Sequence, residues 1–374
     1  MSDNLITDVG RGTFGSVTRI GTIDLARNQL KKIEYQMFAQ LQYCELIDLA
    51  ENNITEIQKQ SFTELYLTAI NISHNSLSKI EPKSFISCNN MTVLDLSHNL
   101  LDNIPRQAFD ENSYASHFDV SFNRFTNTSQ IPLQNMTGLR VLNISFNFIT
   151  DIPKNTFPKL YELHTIDASH NMISEISNAV LMPLFSLRSL NLSFNSLEKI
   201  KPSTFGSIST LLEMDLSNNQ LKDVSRGSLA KLQSLRFLTV ENNNLESVFQ
   251  LPISLNHLNF RNNSLKEIPE KTWPVMNALL SLNLAHNQIE NSLRGNSFLG
   301  LLTMQTINLN NNGISKIPYE AFSEMKTLQY IHLEVENSFH LILMFNQQIF
   351  LSKRATKSLN FPKQHSENFQ SSSK

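Results

Sequence analysis

Apolar and polar positions recur along this chain in a unit of about 24 residues. Residues 187–200, "LRSLNLSFNSLEKI", show the unit as L-x-x-L-x-L-x-x-N-x-L-x-x-I. Its asparagine, here called the ladder asparagine, recurs at Asn28, Asn52, Asn75, Asn99, Asn123, Asn147, Asn171, Asn195, Asn219, Asn243, Asn263, Asn287 and Asn312. The interval varies little, except that the step from Asn243 to Asn263 is shorter than the others. Such a period indicates a solenoid in which each unit is one supersecondary element.

A second marker follows the ladder asparagine in fixed phase. Ten residues after most of them stands an aromatic residue or a leucine: Phe38, Phe62, Phe85, Phe109, Leu133, Phe157, Leu181, Phe205, Leu229, Trp273 and Phe322, with Phe298 one residue late. We expect this side chain to anchor the return half of each repeat in the core.

Residue alternation predicts one short strand in each repeat. In "LNLSFN", Leu190 and Leu192 are two apart and point to one side, whereas Asn191 and Ser193 point to the other. A single strand cannot bury its apolar side alone, so neighbouring repeats stack into a parallel sheet. The predicted fold is an α/β solenoid: a horseshoe with a parallel β-sheet on the concave face and irregular or short helical segments on the convex face. We interpret the ladder asparagine as structural, because its amide can satisfy backbone groups where the chain turns.

The pattern resembles the leucine-rich repeat family, and its phenylalanine-marked 24-residue form resembles the typical extracellular class of that family. The resemblance covers residues 4 to about 333. Within the family, residues 157–171, 209–221, 226–236, 249–260 and 272–288 are similar to the chaoptin-type adhesion proteins of arthropod photoreceptors. The resemblance implies adhesion between cell surfaces, a secreted parent protein held on the membrane by a lipid anchor, and no catalytic residues.

One short segment also fits a catalytic motif. Residues 10–17, "GRGTFGSV", match the glycine-rich loop that covers ATP phosphates in protein kinases. However, Phe14 lies ten residues after Asn4 and so occupies the anchor position of a repeat. Segments resembling the kinase lysine strand, catalytic loop and metal-binding D-F-G are all missing from the sequence. We therefore expect no enzyme. An adhesion ectodomain is the first hypothesis, and a receptor-type or soluble ligand-binding leucine-rich repeat protein is the alternative.

The charge composition limits the classes of molecule that the chain is expected to bind. The net charge is −2 and 17% of residues are charged, so no basic surface for nucleic acid is indicated. We expect protein partners, with a second copy of the chain among the candidates, and no nucleic acid, small-molecule substrate or membrane contact by this chain itself. No cofactor or metal is expected, because no Cys/His/Asp/Glu spacing resembles a metal site. We interpret His74, His98, His170 and His286, which each precede a ladder asparagine, as a feature of an exposed turn.

The two cysteines occupy apolar positions of the pattern. Cys44 stands at the first leucine position of its repeat and Cys88 at a core position at the end of the next one. A separation of roughly 10 Å would exceed the limit of about 7 Å between the Cα atoms of a disulfide. We expect two free, buried thiols.

Glycosylation signals favour a secreted protein. The N-x-[ST] sequons lie at Asn53, Asn71, Asn90, Asn127, Asn135, Asn143, Asn191 and Asn262. Those at Asn71, Asn143 and Asn191 can arise simply from the repeat. Asn90, Asn127 and Asn135 lie off the strand core and are the better candidates. Together with the resemblance, they predict an extracellular or cell-surface location.

The pattern stops before the end of the chain. We predict a solenoid over residues 1–333 and a non-repeat tail, expected to be disordered, over residues 334–374. The apolar run at residues 339–351 is interrupted by polar residues and is too short to form a helix that spans a bilayer. No signal peptide, transmembrane segment or anchor signal is visible. We interpret the chain as part of a longer ectodomain or as a truncated gene model.

A candidate partner surface lies where the strand residues are least uniform. Most repeats carry Asp or Asn followed by Ser or Ala at the outward positions. The tenth and eleventh repeats instead carry Phe237, Thr239, Glu241, His257, Asn259 and Arg261. An exposed aromatic residue beside a lateral Glu241–Arg261 pair would suit a protein partner. The alternative is that Glu241 and Arg261 only pair across adjacent strands, which is worth roughly 0.2–1 kcal/mol.

Limited proteolysis should remove the tail first. Exposed backbone outside packed structure is where proteases cut, and the period is lost after Leu333. In a brief trypsin digest followed by mass spectrometry, we expect cleavage after Lys353 or Arg354 before any cut within the repeats. Early cleavage among the repeats with the tail intact would contradict a boundary at residue 333.

Overall fold

Fourteen parallel strands form one long sheet, one strand in each repeat. The computed structural model describes residues 1–14, 19–39, 41, 43–66, 68–89, 91–110, 115–177, 180–202, 204–206, 208–274 and 276–334, with two short strands further on. In chain order the sheet strands are Thr22–Asp24, Leu46–Asp48, Ala69–Asn71, Met91–Asp95, Ala115–Asp119, Val141–Asn143, Thr165–Asp167, Ser189–Asn191, Glu213–Asp215, Phe237–Thr239, His257–Asn259, Ser281–Asn283, Thr306–Asn308 and Tyr330–His332. Each strand pairs with the next one along the chain, so the predicted parallel solenoid is confirmed.

The strands pair in phase with the repeat. Leu190 lies opposite Ile166 on one neighbour and Met214 on the other. The register also holds across the short repeat, where Leu238 lies opposite Leu258. Equivalent residues of all repeats therefore form columns that run along the solenoid.

The ladder asparagines connect each repeat to the one before it. The Asn99 amide donates from Nδ2 to the carbonyls of Leu96 and Ser97 in its own turn, and to that of Ile72 in the preceding repeat, at 2.9–3.1 Å. Its Oδ1 accepts from the backbone N–H of Leu77 at 2.9 Å. The bonds to the preceding repeat recur at all thirteen positions. The structural interpretation of these residues is confirmed.

The phenylalanine marker forms a second column inside the core. Phe38, Phe62 and Phe85 are completely buried. They stack between Phe14 and Phe109 with ring centroids 4.9–5.9 Å apart. Because Phe14 joins this stack, the kinase-like segment is part of a repeat. Residues 15–18 of that segment lie outside the described residues.

The side opposite the long sheet contains almost no helix. In the described ranges there are three 3-10 helices and no α-helix: Arg106–Ala108, Thr128–Gln130 and Leu133–Asn135. Two-residue strands take much of the space: Lys32–Ile33, Glu56–Ile57 and Lys79–Ile80; Phe62–Thr63 and Phe85–Ile86; Asp151–Ile152 and Glu175–Ile176; Lys199–Ile200 and Asp223–Val224. Most of these end in a buried, β-branched Ile or Val, which fits an extended backbone better than a helix.

The serine after the strand is buried, so the predicted outward orientation of Ser193 is wrong. The backbone N–H and Oγ of Ser193 both donate to Oδ1 of Asn191, at 3.0 and 2.8 Å. At the equivalent place in other repeats, Asp or Asn accepts the N–H two residues further on, as Asp167 does from Ser169. The chain has already begun to turn here, so strand alternation no longer applies.

Both cysteines are buried thiols outside any disulfide, as predicted. Two short strands beyond the long sheet, Met344–Phe345 and Gln348–Ile349, pair antiparallel with each other. The rest of the predicted tail from residue 335 onward lies outside the described residues. No helix in the described ranges has the length and apolar character needed to cross a bilayer.

Replacing one ladder asparagine should destabilise the fold far more than replacing its neighbour. Asn243→Ala removes bonds to the carbonyls of Leu216, Val240 and Glu241 and leaves these buried groups without that donor. We expect a loss of roughly 2–4 kcal/mol, which is several degrees in melting midpoint. Asn244 is exposed, and Asn244→Ala serves as the control with a change of about 0.5 kcal/mol or less. Equal melting midpoints would contradict the role of the ladder.

Candidate binding surface

The aromatic residue of the predicted partner surface is partly covered. Phe237 and His257 lie opposite each other on adjacent strands, and their rings stack with centroids 4.7 Å apart. Both side chains are half-buried. Thr239 lies opposite Asn259, which is buried. The structure therefore brings these four residues together, but it exposes less of Phe237 than expected.

The predicted lateral pair between Glu241 and Arg261 is wrong. Glu241 Oε2 instead accepts from Asn259 Nδ2 at 2.8 Å, and Arg261 Nη2 lies 3.3 Å from His286 Nε2. Glu241 and Arg261 stand two residues before their ladder asparagines, where the chain turns. The amide of Asn259 lies closer to Glu241 than the arginine does, so the carboxylate is already satisfied.

A larger exposed surface occupies the position immediately before the ladder asparagine. In six successive repeats this position holds a ring: His74, His98, Phe122, Phe146, His170 and Phe194. Neighbouring rings stack with centroids 3.9–4.1 Å apart and planes within 13° of parallel. We call these six residues the aromatic column. Its five consecutive ring contacts are unbroken, so it forms one continuous surface along six repeats.

The backbone at these positions is left-handed. Phe122, Phe146 and Phe194 have φ of 52–53°, and the residue before every other ladder asparagine also has positive φ. This conformation costs most L-residues roughly 1–2 kcal/mol, and asparagine tolerates it better. Asparagine occupies the same position at Asn218 and Asn242. The fold itself therefore does not require a bulky ring at this position.

Most of the aromatic column faces solvent, and further apolar side chains flank it. Phe122, Phe146 and Phe194 are 39–46% exposed. At the position just after the ladder asparagine, Leu100, Phe148 and Met172 are also exposed, and the repeat between the first two has Arg124 there. Isolated exposed apolar residues need no explanation, but a contiguous patch of this kind marks an interaction site.

Two histidines within the column are neutral at pH 7. Burial lowers the pKa of His98, and the nearby His74 lowers it further. Burial also lowers the pKa of His170. Neutral imidazole stacks on phenylalanine without the cost of desolvating a charge, so the column from His98 to Phe194 forms one uncharged surface.

Carboxylates line the sheet side of the column. Asp95, Asp119 and Asp167 occupy the last strand residue of their repeats. Burial, together with the neighbouring Asp95, raises the pKa of Asp119 to about 6. Asp119 Oδ2 accepts a hydrogen bond from Asn143 Nδ2 at 2.8 Å. In the described ranges no group of three metal-ligating side chains is present.

The aromatic column was not predicted from the sequence, although a signal for it exists. The histidines before the ladder asparagines were interpreted only as part of an exposed turn. Phe122, Phe146 and Phe194 stand in the same phase. Comparing this position from repeat to repeat would have shown the ring series.

The sequons differ in their structural setting. Asn53 and Asn262 are exposed, whereas Asn71, Asn143 and Asn191 are half-buried at strand ends. Asn127 caps the helix Thr128–Gln130, and Asn135 Nδ2 donates to the carbonyls of Arg106 and Phe109. Asn90 lies outside the described residues. The preference for Asn127 and Asn135 as acceptors stays a prediction.

Profiles of known families match most of the chain. A leucine-rich repeat profile matches residues 113–173, 137–197 and 185–245. A BspA-type leucine-rich repeat profile matches residues 7–136 and 245–373. No curated protein sequence matches the chain. The similarity of individual segments to chaoptin-type proteins therefore stays a prediction.

Solved structures share the fold at low sequence identity. The chain is similar to Toll of Drosophila, from its complex with Spatzle, with a TM-score of 0.72 and 19% identity over 89% of this chain and 46% of that one. It thus spans about half the length of the Toll chain. The leucine-rich repeat domain of APL1 has a TM-score of 0.66 and 22% identity over 83% of this chain and 78% of that one. An internalin of Listeria monocytogenes has a TM-score of 0.57 and 18% identity over 85% of this chain and 87% of that one.

Asp119 should make stability depend on pH. A carboxyl group whose pKa is about 6 when folded and 3.8 when unfolded binds protons more readily in the folded state between these values. Its ionisation therefore costs stability above pH 6, and the cost declines as pH falls from 6 towards 4. The measured quantity is the free energy of unfolding of Asp119→Asn minus that of the parent. We expect this difference to be roughly 1 kcal/mol smaller at pH 5 than at pH 7.5.

The substitution also alters the hydrogen bond to Asn143. Because we compare the same variant at two pH values, the pH-independent part of that effect on the free energy of unfolding drops out. Asp167→Asn is the matched control, because asparagines, Asn143 and Asn191, flank Asp167 on both neighbouring strands. Urea unfolding of both variants and the parent measures the difference. A pH-independent difference for Asp119→Asn would show that burial and the neighbouring Asp95 do not raise the pKa of this carboxyl group.

Proposed function

Because the chain belongs to the leucine-rich repeat family, we propose that it is the protein-binding part of a cell-surface adhesion ectodomain. In this proposal it is non-catalytic and works outside the cell, and the aromatic column with Leu100, Phe148 and Met172 is its contact surface.

The exposure of the aromatic column is the observation that carries the proposal. Each phenylalanine in it accepts a strained backbone and leaves apolar area in water. Stacking recovers about 0.5–1.5 kcal/mol per ring pair, which offsets only part of this cost. Asparagine would fill the position at lower cost, as at Asn218 and Asn242. Residues that lower stability without serving the fold are typical of a binding surface.

The similar structures support a protein partner. Toll is seen in complex with Spatzle. This chain spans only part of Toll and shares 19% identity with it, so the likeness supports the use of a repeat surface for protein recognition and nothing about the partner itself.

Adhesion and an extracellular location rest on sequence features. The segments similar to chaoptin-type proteins and the sequons support them. The alternative is a receptor-type or soluble ligand-binding leucine-rich repeat protein, which would use the same contact surface. The group around Phe237, Glu241 and Arg261 is the second candidate surface, although its polar side chains already bond to one another or to neighbours.

Removing two rings should abolish adhesion without unfolding the protein. We expect beads coated with the chain to adhere to cells of the source organism. Beads coated with the Phe122→Asn plus Phe146→Asn variant should adhere at background level, because the patch loses its centre. Asparagine suits the left-handed backbone, so the melting midpoint should change by no more than a few degrees.

Two other variants serve as controls. Tyr161 and Phe185 form an exposed stacked pair away from the column, with centroids 6.0 Å apart. Tyr161→Asn plus Phe185→Asn should leave bead adhesion unchanged. Phe237→Ala plus Glu241→Arg tests the second surface. If that variant alone loses adhesion while the column variant keeps it, the proposed contact surface is wrong.

A further inference from the structure

The four central repeats of the aromatic column lie in a carboxylate-rich segment of the rim, meaning the turns that contain the ladder asparagines and the residues beside them. The nine residues centred on each of Asn99, Asn123, Asn147 and Asn171 include six acids, namely Asp95, Asp102, Asp119, Asp151, Asp167 and Glu175. A single cation, Arg124, falls in these windows. The windows of the two end members of the column each contain a lysine, Lys79 with His74 and Lys199 with Phe194.

The acids lie on both sides of the apolar surface. On the sheet side, Asp95 and Asp119 lie opposite each other on adjacent strands. On the other side, Asp102 is exposed, Asp151 is half-buried, and Glu175 is in an ion pair with Lys201. Between the two rows lie the rings and their apolar neighbours. The surface is thus a mainly apolar stripe that runs along the rim from repeat to repeat between carboxylates, with the single cation Arg124 in the row of Leu100 and Phe148.

Stacking limits what the stripe can bind. At spacings of 3.9–4.1 Å the ring faces cover one another, so only ring edges meet solvent along the column. A sugar or a nucleic-acid base that stacks on an aromatic side chain needs a free face. Ring edges instead suit the packing of aliphatic side chains, which need no particular face.

We propose that the stripe binds a cationic amphipathic segment of another protein, with aliphatic side chains on the rings and Lys or Arg on the bordering carboxylates. The inference rests on the proposed function and specifies the chemistry of its partner. Opposite charges across an interface speed association and select the partner.

The same charges disfavour a second copy of this chain on this surface. Packing two stripes against each other would bring acidic borders together, and like charges across an interface cost several kcal/mol. Within the four central windows, Arg124 is the single compensating cation of each copy. Contact through the aromatic column is therefore heterophilic.

Synthetic peptides test the chemistry directly with the full chain. The probe is a fluorescent helical peptide of about five turns, with a leucine stripe bordered by lysines, which is long enough to lie along the whole column. The comparison peptides replace its lysines with glutamates or its leucines with serines. We expect the leucine–lysine peptide to bind at least tenfold more tightly than either in fluorescence anisotropy, and to weaken as salt is added.

Substitutions in the stripe test whether the leucine–lysine peptide binds there. Phe122→Asn plus Phe146→Asn should weaken the leucine–lysine peptide at least tenfold, and Asp102→Asn plus Asp151→Asn about threefold or more. Glu267→Gln plus Glu270→Gln makes the same change in charge at two exposed acids away from the column and should leave the affinity unchanged. Equal binding of the leucine–glutamate peptide, or equal binding by the ring variant, would overturn the inference.

Sedimentation and bead adhesion separate the inference from the proposed function. The chain should sediment as a monomer, and a dimer that the ring substitutions dissolve would overturn the heterophilic assignment. If the ring variant loses bead adhesion but the leucine–lysine peptide does not bind the parent, the cationic partner is rejected and the contact surface stands. If the ring variant adheres normally, the contact surface itself is rejected.

Discussion

The hydrogen bonds of the ladder asparagine hold the rest of the structure in place. Each amide bonds to carbonyls in its own turn and to one carbonyl and one N–H of the preceding repeat, as Asn147 does with Val120 and Phe125. The side chain must point inward to do so. The residue before it takes the left-handed conformation, and its own side chain lies on the outside of the turn, exposed or half-buried. One buried interaction thus fixes both the stacking of repeats and the place of an external column.

The fold sets the position of that external column but not its chemistry. Near the start of the chain it holds Arg27, 3.8 Å from Glu51 in an ion pair. Further on, Asn242 donates to Asn218 at 3.0 Å and accepts from Asn262 at 2.8 Å. Ion pair, stacked rings and amide chain all satisfy the same spacing. The fold therefore does not dictate the rings in these six repeats, and their side chains are available for recognition of a partner.

Periodicity made most of the fold predictable from the sequence, because identical positions of a solenoid have identical environments. The strands, the asparagine ladder and the stack from Phe14 to Phe109 follow from it directly. Departures arise where one side chain competes with another. Ser193 is buried because Asn191 accepts its N–H, and Glu241 bonds to Asn259 in place of Arg261. Such local contacts depend on turn geometry, which a repeat pattern does not contain. The ring series itself can be read from the sequence, but the stacking of these rings outside the core depends on the left-handed turn.

The location of the aromatic column suits recognition mechanically. It runs through His74 to Phe194, in repeats that are held by neighbours on both sides, whereas terminal repeats have one neighbour and open more easily. Stacking also restricts each ring to one orientation before any partner arrives. Ordering a mobile side chain at an interface costs about 0.5–1.5 kcal/mol in conformational entropy. Here the rings are already ordered in the folded protein, so binding does not include this cost. The strain of the left-handed backbone is likewise accepted in the unbound protein. A partner therefore meets a surface that is already arranged, so substitutions in the column should affect binding more than they affect the stability of the solenoid.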